Sequence, residues 1–415
     1  MSQGAVLEVD YRPSLLERLG VVFLLLLASH FVVDALATLL PSSLGLIEVR
    51  SGLSHSQAAW LLGLGSFTSG LAQPLCALIS DRLRTRVLTV VGITVAGIGF
   101  AMLGLTTNAI ALSTIYVLGM IGVGIFHPIA ATTVAQLHYH RRNSATGIFF
   151  VAGMIGGVFG AILWPRWLST TGGFGNLPLM VAPILILAFF LHRKLLVLPP
   201  IKQHQWHTAD LSLLRGNWAN IIVLYAASAM RYCINTSLVY LFVRWTEQVI
   251  SLEHASMSAE AVAKQAAPIV GNLNACMILG MAIGGLMGGT FVAPGREKWP
   301  LVWVPLCFCP VLALFPHLSI QASYVLAVMA GVGFASMIPV TVALAQHLLP
   351  HRANFASSLM MGGAWVVATI GPRSAEFGVT HLGIETTFAL LAAVLAISGI
   401  VCCLFREPKG LTVAP

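Results

Sequence analysis

Charge is what this sequence has least of. Of its 415 residues only 9% are Asp, Glu, Lys or Arg, against about 25% in an ordinary water-soluble domain, and that scarcity excludes a chain with a fully solvated surface. The apolar stretches also lack the two-residue alternation of membrane-spanning strands, which excludes an outer-membrane barrel. No glycine-rich phosphate loop follows a strand, so ATP-driven chemistry has no support. Zinc-type Cys or His spacing and any H-E-x-x-H or acidic metal cluster are missing as well. The seven cysteines, Cys76, Cys233, Cys276, Cys307, Cys309, Cys402 and Cys403, nearly all fall inside apolar runs and read as small packing residues without a disulfide framework.

What is there is apolar length. The chain is 57% hydrophobic with a mean hydropathy of +0.88. Charge-poor windows of about 20 residues recur, long enough as helices to cross a hydrocarbon core about 30 Å thick. Only helices or closed barrels satisfy their backbone polar groups in lipid, and the Leu, Ala, Val and Gly runs select helices. The expected class is an all-α integral membrane protein. Spans are expected near residues 19–45, 57–79, 87–105, 109–134, 144–165, 177–198, 217–243, 269–292, 299–316, 321–346, 355–377 and 383–405, which makes twelve. The first has no cleavage site behind a short core and reads as a retained helix rather than a signal peptide. A polar, proline-bearing stretch, 199–216, separates a six-helix half at 1–198 from a second at 217–415.

With both termini on the cytoplasmic side, the inner segments hold sixteen of the 22 Lys and Arg residues. The outer segments hold Arg50, Arg166, Arg244, Lys264 and Arg373, and Arg231 lies within a span. This asymmetry fixes the orientation. The net charge of +8 is therefore a topology signal and gives no footprint for nucleic acid. The halves also resemble each other: Gln136, Arg142 and Gly153 fall over Gln346, Arg352 and Gly363, each at an offset of 210. A duplicated six-helix unit is the build expected of a transporter whose halves rock about a midplane site.

Ionisable residues at membrane depth are costly and usually mark a substrate or proton path. His30 and Asp34 are spaced i, i+4 in "SHFVVD" and share a helix face, which makes them a candidate proton-binding pair, with a structural packing pair as the alternative. His127 precedes Pro128 in "GIFHP", where the proline frees a carbonyl and favours a kink. Arg231 does not deprotonate and calls for an acidic partner, a wet cavity or an anionic ligand. Asn235 continues its face one turn on, and Tyr232 and Tyr240 are candidate lining residues. His138, His140, His204 and His207 read as solvated loop residues, and Gly153 to Ala161 and Gly280 to Gly289 as close helix packing.

"ALISDRLRTR", Ala77 to Arg86, resembles the loop signature of the major facilitator superfamily, G-x-x-x-D-R-x-G-R-K. Ala77 and Arg84 replace its glycines, Asp81 and Arg82 match, and Arg86 takes the last basic place. The resemblance implies a conformational latch at Asp81, Arg82 and Arg86, facing the cytoplasmic start of the eleventh span near Asn354. The second half keeps Gly289, Gly295, Arg296 and Lys298 but has no aspartate there. Within the superfamily, "SHFVVD" looks like the H-x-x-N-D of the fosmidomycin-resistance branch, with Val33 at the asparagine. "GIFHP" matches its F-H-P, with Ile129 where that branch has glutamate. Arg231 with Tyr232 takes the place of its seventh-helix arginine, and Pro339 to Pro350 with the run from Ser357 resembles its tenth and eleventh helices. The likeness covers nearly the whole chain and is weakest over 247–268, a long, helix-prone outer loop.

The resemblance implies a bundle of six plus six helices in the cell (inner) membrane, a monomer, and proton-coupled export of a small, often anionic drug. No cofactor or metal is implied. The expected roles are proton coupling at Asp34, His30 and His127, and substrate contact at Arg231, His127, Asn235 and Tyr232. Uptake symport of an organic anion or nutrient stands as an alternative, as does a membrane enzyme or sensor on the same scaffold.

Overall fold

The structure, a computed structural model, describes residues 15–83, 86–137, 142–198, 212–293, 295–349 and 353–406. Among them every regular element is helical and none is a strand. The first half runs α1 (Leu15–Ala37), α2 (Leu39–Ser42), α3 (Leu44–Ser51), α4 (His55–Leu83), α5 (Val87–Met102), α6 (Ala109–Leu137), α7 (Arg142–Leu168) and α8 (Val181–Leu195). The second runs α9 (Ser212–Glu253), α10 (Ala259–Phe291), α11 (Lys298–Leu314), α12 (Ile320–Ala335), α13 (Ile338–Leu348), α14 (Ala353–Ser358), a π-helical turn (Leu359–Gly363), α15 (Ala364–Ala368), α16 (Ile370–Leu382) and α17 (Ile384–Val401).

Each of the twelve expected spans is helical, but ten of the described helices are long and apolar enough to cross a membrane by length and composition. The other two positions are α4 and the α14–α16 run. α4 carries Ser56, Gln57, Ser66, Thr68, Ser69, Gln73 and Pro74 among its apolar residues, and the α14–α16 run is interrupted by the π turn. These two segments face each other across the molecule. Gly63 lies against the Thr369 carbonyl, and Gly70 against Gly362 and Trp365.

Local signals set the turns. Ser258 and Ser319 cap α10 and α12 by accepting the amides of Ala261 and Ala322, the usual way to satisfy free N-terminal donors. Gly383, with φ +83°, makes the turn from α16 into α17 in a region that glycine enters without strain. Small residues let helices close up: Gly280, Gly284 and Gly288 of α10 lie against the backbone of Val328, Val332 and Ser336. The outer loop over 247–268 shortens to 254–258, because α9 and α10 extend into it from both sides.

The halves are joined at their outer ends. Glu48 of α3 holds Arg244 of α9 through Oε2 to Nη2 at 2.6 Å and Oε1 to Nη1 at 3.3 Å, with both side chains buried. Arg166 of α7 donates to Asn272 of α10 at 2.9 Å. From there the contact descends through Gly157 against Ile278.

Candidate functional site

The site is assembled by three helices of the first half. α1 presents His30 and Asp34 on one face, one turn apart. α6 brings in His127, and α7 lies against both. Gly153 of α7 permits this approach, because a Cβ there would collide with the Asp34 carboxylate and the His30 ring. Phe149 of α7 stacks on His30 with ring centroids 4.0 Å apart, and Phe126 of α6 lies 5.9 Å away, tilted.

Distances define the arrangement. His30 Nε2 is 3.3 Å from Asp34 Oδ2, and His127 Nε2 is 2.9 Å from Asp34 Oδ1. On the far side of each ring, His30 Nδ1 donates to the Phe149 carbonyl at 2.7 Å and His127 Nδ1 donates to the Val123 carbonyl at 2.8 Å. A carbonyl oxygen can only accept, so both rings carry hydrogen on Nδ1. Each Nε2 is then a bare lone pair when the ring is neutral, and both lone pairs point at a carboxylate that also only accepts.

That opposition determines the chemistry. Three acceptors in contact repel until protons enter between them, either on a ring as imidazolium or on the carboxyl. One proton satisfies one contact and a second satisfies the other. The cluster's charge runs from −1 to 0 to +1 as it fills. His30 is 2% exposed, whereas Asp34 and His127 are 25% and 23% exposed, so solvent reaches the cluster from the Asp34 and His127 side. The three ligand atoms lie within 4.8 Å of one another, close enough for one small cation to touch all three.

The second half does not complete this site as expected. Arg231 is completely buried, and its Nη2 donates to the Leu301 carbonyl at 3.2 Å and to Cys402 Sγ at 3.8 Å. No carboxylate pairs with it among the described residues. Tyr232 is buried against Trp365, with centroids 4.9 Å apart, and Asn235 is buried with its amide on Met281 Sδ at 3.3 Å. The three side chains expected to form a polar substrate face on α9 thus pack, in this conformation, against α11 and the turn that follows α17, against α15, and against α10 respectively.

Of the expected latch, the side chains of Asp81 and Arg82 lie outside the described residues. Arg86 Nη2 donates to Gln136 Oε1 at 3.1 Å, which ties the start of α5 to the end of α6. Sequence reasoning missed Phe149 and Gly153 as members of the site. Gly153 was legible only as helix packing, and a backbone carbonyl such as that of Phe149 leaves no residue-type signal. Glu48, His55 and Arg244 were missed as a group because they are 189 to 196 residues apart across the halves.

Comparison with known proteins places this geometry. The sequence profile of the Major Facilitator Superfamily matches residues 22–263 and 255–414. The chain is 22% identical to the fosmidomycin resistance protein of Escherichia coli (strain K12), over 88% of this chain and 87% of that protein. It is also 22% identical to an uncharacterized MFS-type transporter, YfnC, of Bacillus subtilis (strain 168), over 92% of each. Among solved structures it is similar to a bacterial homolog of the human lysosomal transporter Spinster in an inward-facing and occupied conformation. There the TM-score is 0.69 at 16% identity, covering 95% of this chain and 98% of the other. A nucleoside transporter, NupG, superposes with a TM-score of 0.71 at 14% identity over 93% and 100% of the two chains. A D-xylose-proton symporter gives 0.69 at 14% over 96% and 99%.

Proposed function

Since the chain belongs to the major facilitator superfamily and is an integral membrane transporter, we propose that it is a proton-coupled exporter of a small organic compound, with phosphonates, phosphates and carboxylates as the first candidates. The observation that carries the proton coupling is the tautomer pair. Both histidines are locked with Nδ1 on a carbonyl, so both Nε2 atoms face one carboxylate and the cluster takes up to two protons. The similarity to a fosmidomycin resistance protein, at 22% identity, makes fosmidomycin the first compound to test. The excess of Lys and Arg on one side supports an orientation with cytoplasmic termini. The protein acts as a monomer, with small molecules and protons as its partners.

In the proposed cycle the cluster loads protons while open to the outside and releases them while open to the cytoplasm. The change of its charge from +1 to −1 biases which state the halves prefer, since a ligand moves such an equilibrium only through a difference in affinity for the two states. His127 serves both the proton cluster and the cavity wall. Because Arg231, Tyr232 and Asn235 are buried on α9 here, the substrate contact is proposed at His127 and the cavity wall around it rather than at those three.

The test is substrate-induced collapse of a preformed pH gradient in inverted vesicles, with fosmidomycin and other small phosphonates, phosphates and carboxylates screened against the parent and Asp34→Asn. Collapse by the parent and none by the variant supports coupled export. Equal collapse by both removes Asp34 from the proton path. Accumulation with the proton flux running the same way makes the protein a symporter.

A further inference from the structure

The outer junction holds a second His–carboxylate contact that the proposed transport cycle does not use. His55, the first residue of α4, is 62% exposed in its side chain, whereas Glu48 is 8% and Arg244 7% exposed. His55 Nδ1 lies 2.5 Å from Glu48 Oε1 and also 2.5 Å from Arg244 Nη1. Glu247, one turn along α9, places Oε2 at 3.2 Å from Arg244 Nη1. The Tyr240 ring lies under the guanidinium at 5.3 Å. Arg373 of α16 acts on Tyr240 electrostatically from the remaining side.

One nitrogen cannot serve both neighbours at once. With the ring neutral and its lone pair at Nδ1, it accepts from Arg244 and offers Glu48 nothing. With the ring protonated, it donates to Glu48 and turns an N–H, and a positive charge, toward the arginine. The chain distributes the four groups accordingly. Glu48 and His55 belong to the first half, and Arg244 and Glu247 to the second. Once His55 is charged, each half holds its own neutral pair, Glu48 with His55 and Arg244 with Glu247. The halves can then part without leaving a buried carboxylate unpaired, which is the costly step in breaking such a bridge. While His55 is neutral, Glu48 has no cation except Arg244.

We propose that His55 is a second proton site, facing the outer medium, and that its protonation exchanges Glu48 from Arg244 to His55 and so releases the outer clamp between the halves. Falling pH therefore favours the outward-open state, because that state binds the extra proton. The inference stands apart from proton coupling at Asp34.

The experiment is a double electron–electron resonance measurement on the full chain in lipid nanodiscs, with spin labels on the exposed outer residues Thr171 and Ala255, at pH 8 and pH 5.5. In the parent the ratio of long to short distances is expected to rise about fivefold or more on acidification, the lower end of typical coupling. His55→Gln should stay short at both pH values, and His55→Lys, a permanent cation, should show the long population already at pH 8. Asp34→Asn should keep the parent's response, which separates this proton from the central ones. A parent that does not respond, a His55→Gln variant that responds like the parent, a His55→Lys variant that stays short, or a response abolished by Asp34→Asn each overturns the proposal.

Discussion

The 210-residue repeat sets Gly153 over Gly363, and the two halves use that position differently. In the first half α7 runs straight through Gly153, and the absent side chain makes room for the Asp34 carboxylate and the His30 ring. In the second half the corresponding segment is the π turn. There the Gly363 carbonyl accepts a hydrogen bond from the Tyr225 hydroxyl at 3.0 Å, and a Cβ at Gly363 would meet the Tyr225 ring at 3.3 Å. A π turn inside a helix frequently marks a place that changes shape. Duplication thus kept the close approach of two helices and varied what occupies it. The first half lodges a titratable cluster against a continuous α-helix, and the second lodges a neutral phenol against a π turn. A proton site gains from a fixed frame, because its affinity depends on distances of a few tenths of an ångström. The half that moves around it gains from a hinge.

The sharpest way to break this asymmetry is to give the first half what the second carries. His127 falls over Met337 at the same offset. His127→Met removes one acceptor from Asp34 and lowers the cluster's capacity from two protons to one. Proton-coupled flux is expected to fall by roughly a hundredfold, the upper range of coupling between two ligands of one protein, with a shallower dependence of flux on pH. Flux against pH in proteoliposomes measures both. A variant with the parent's slope would mean that the second proton is bound elsewhere. Next in size is the pair of glycines. Gly153→Ala drives a methyl group into Asp34 and His30 and is expected to destabilise the protein by about 1–3 kcal/mol. Gly363→Ala meets the edge of Tyr225 and the tip of the flexible Leu359 side chain, both at 3.3 Å, and should cost less than about 1 kcal/mol. Thermal unfolding of the two variants in detergent gives the difference, and equal losses would erase the contrast between the halves.

How far the sequence alone reached follows the same line. The spans were legible because lipid demands about 20 apolar residues in a row. His30 and Asp34 were legible as a pair because a helix brings i and i+4 together, and His127 because an ionisable residue in lipid is conspicuous. The closure of the three into one cluster depends on the Phe149 and Val123 carbonyls, which no residue type announces. Arg231 shows the converse. It was the most conspicuous cation in the chain, and the side of α9 from which it leaves the helix could not be read from its spacing. Glu48, His55 and Arg244 lay in segments that read only as polar span ends.

A smaller effect separates the phenol from the cluster. Tyr225→Phe removes the hydrogen bond to Gly363 and leaves the ring, and is expected to cost about 0.5–1.5 kcal/mol of stability with the pH dependence of flux unchanged. A change in that pH dependence would put Tyr225 on the proton path and make the halves alike after all. Unfolding and flux measured on the same preparation decide it.

The least effect on transport is expected from the most buried charge. Arg231 sits among α9, α11 and α17 with Nε and Nη1 without hydrogen-bond partners among the described residues, held by one carbonyl and one thiol. An ion so placed has given up its hydration without gaining a counter-charge, and replacing buried ionic groups by apolar ones of similar volume is often neutral or stabilising. Arg231→Met fills the same space with a flexible apolar chain. Substrate affinity is expected to stay within about twofold, less than about 0.4 kcal/mol, and the unfolding temperature to hold or rise. If affinity instead collapses while the protein remains folded, the guanidinium must reach the substrate in another state. α9 would then have to turn its buried face toward the cavity during the cycle, and the deformable frame of the second half would serve to carry Arg231 there.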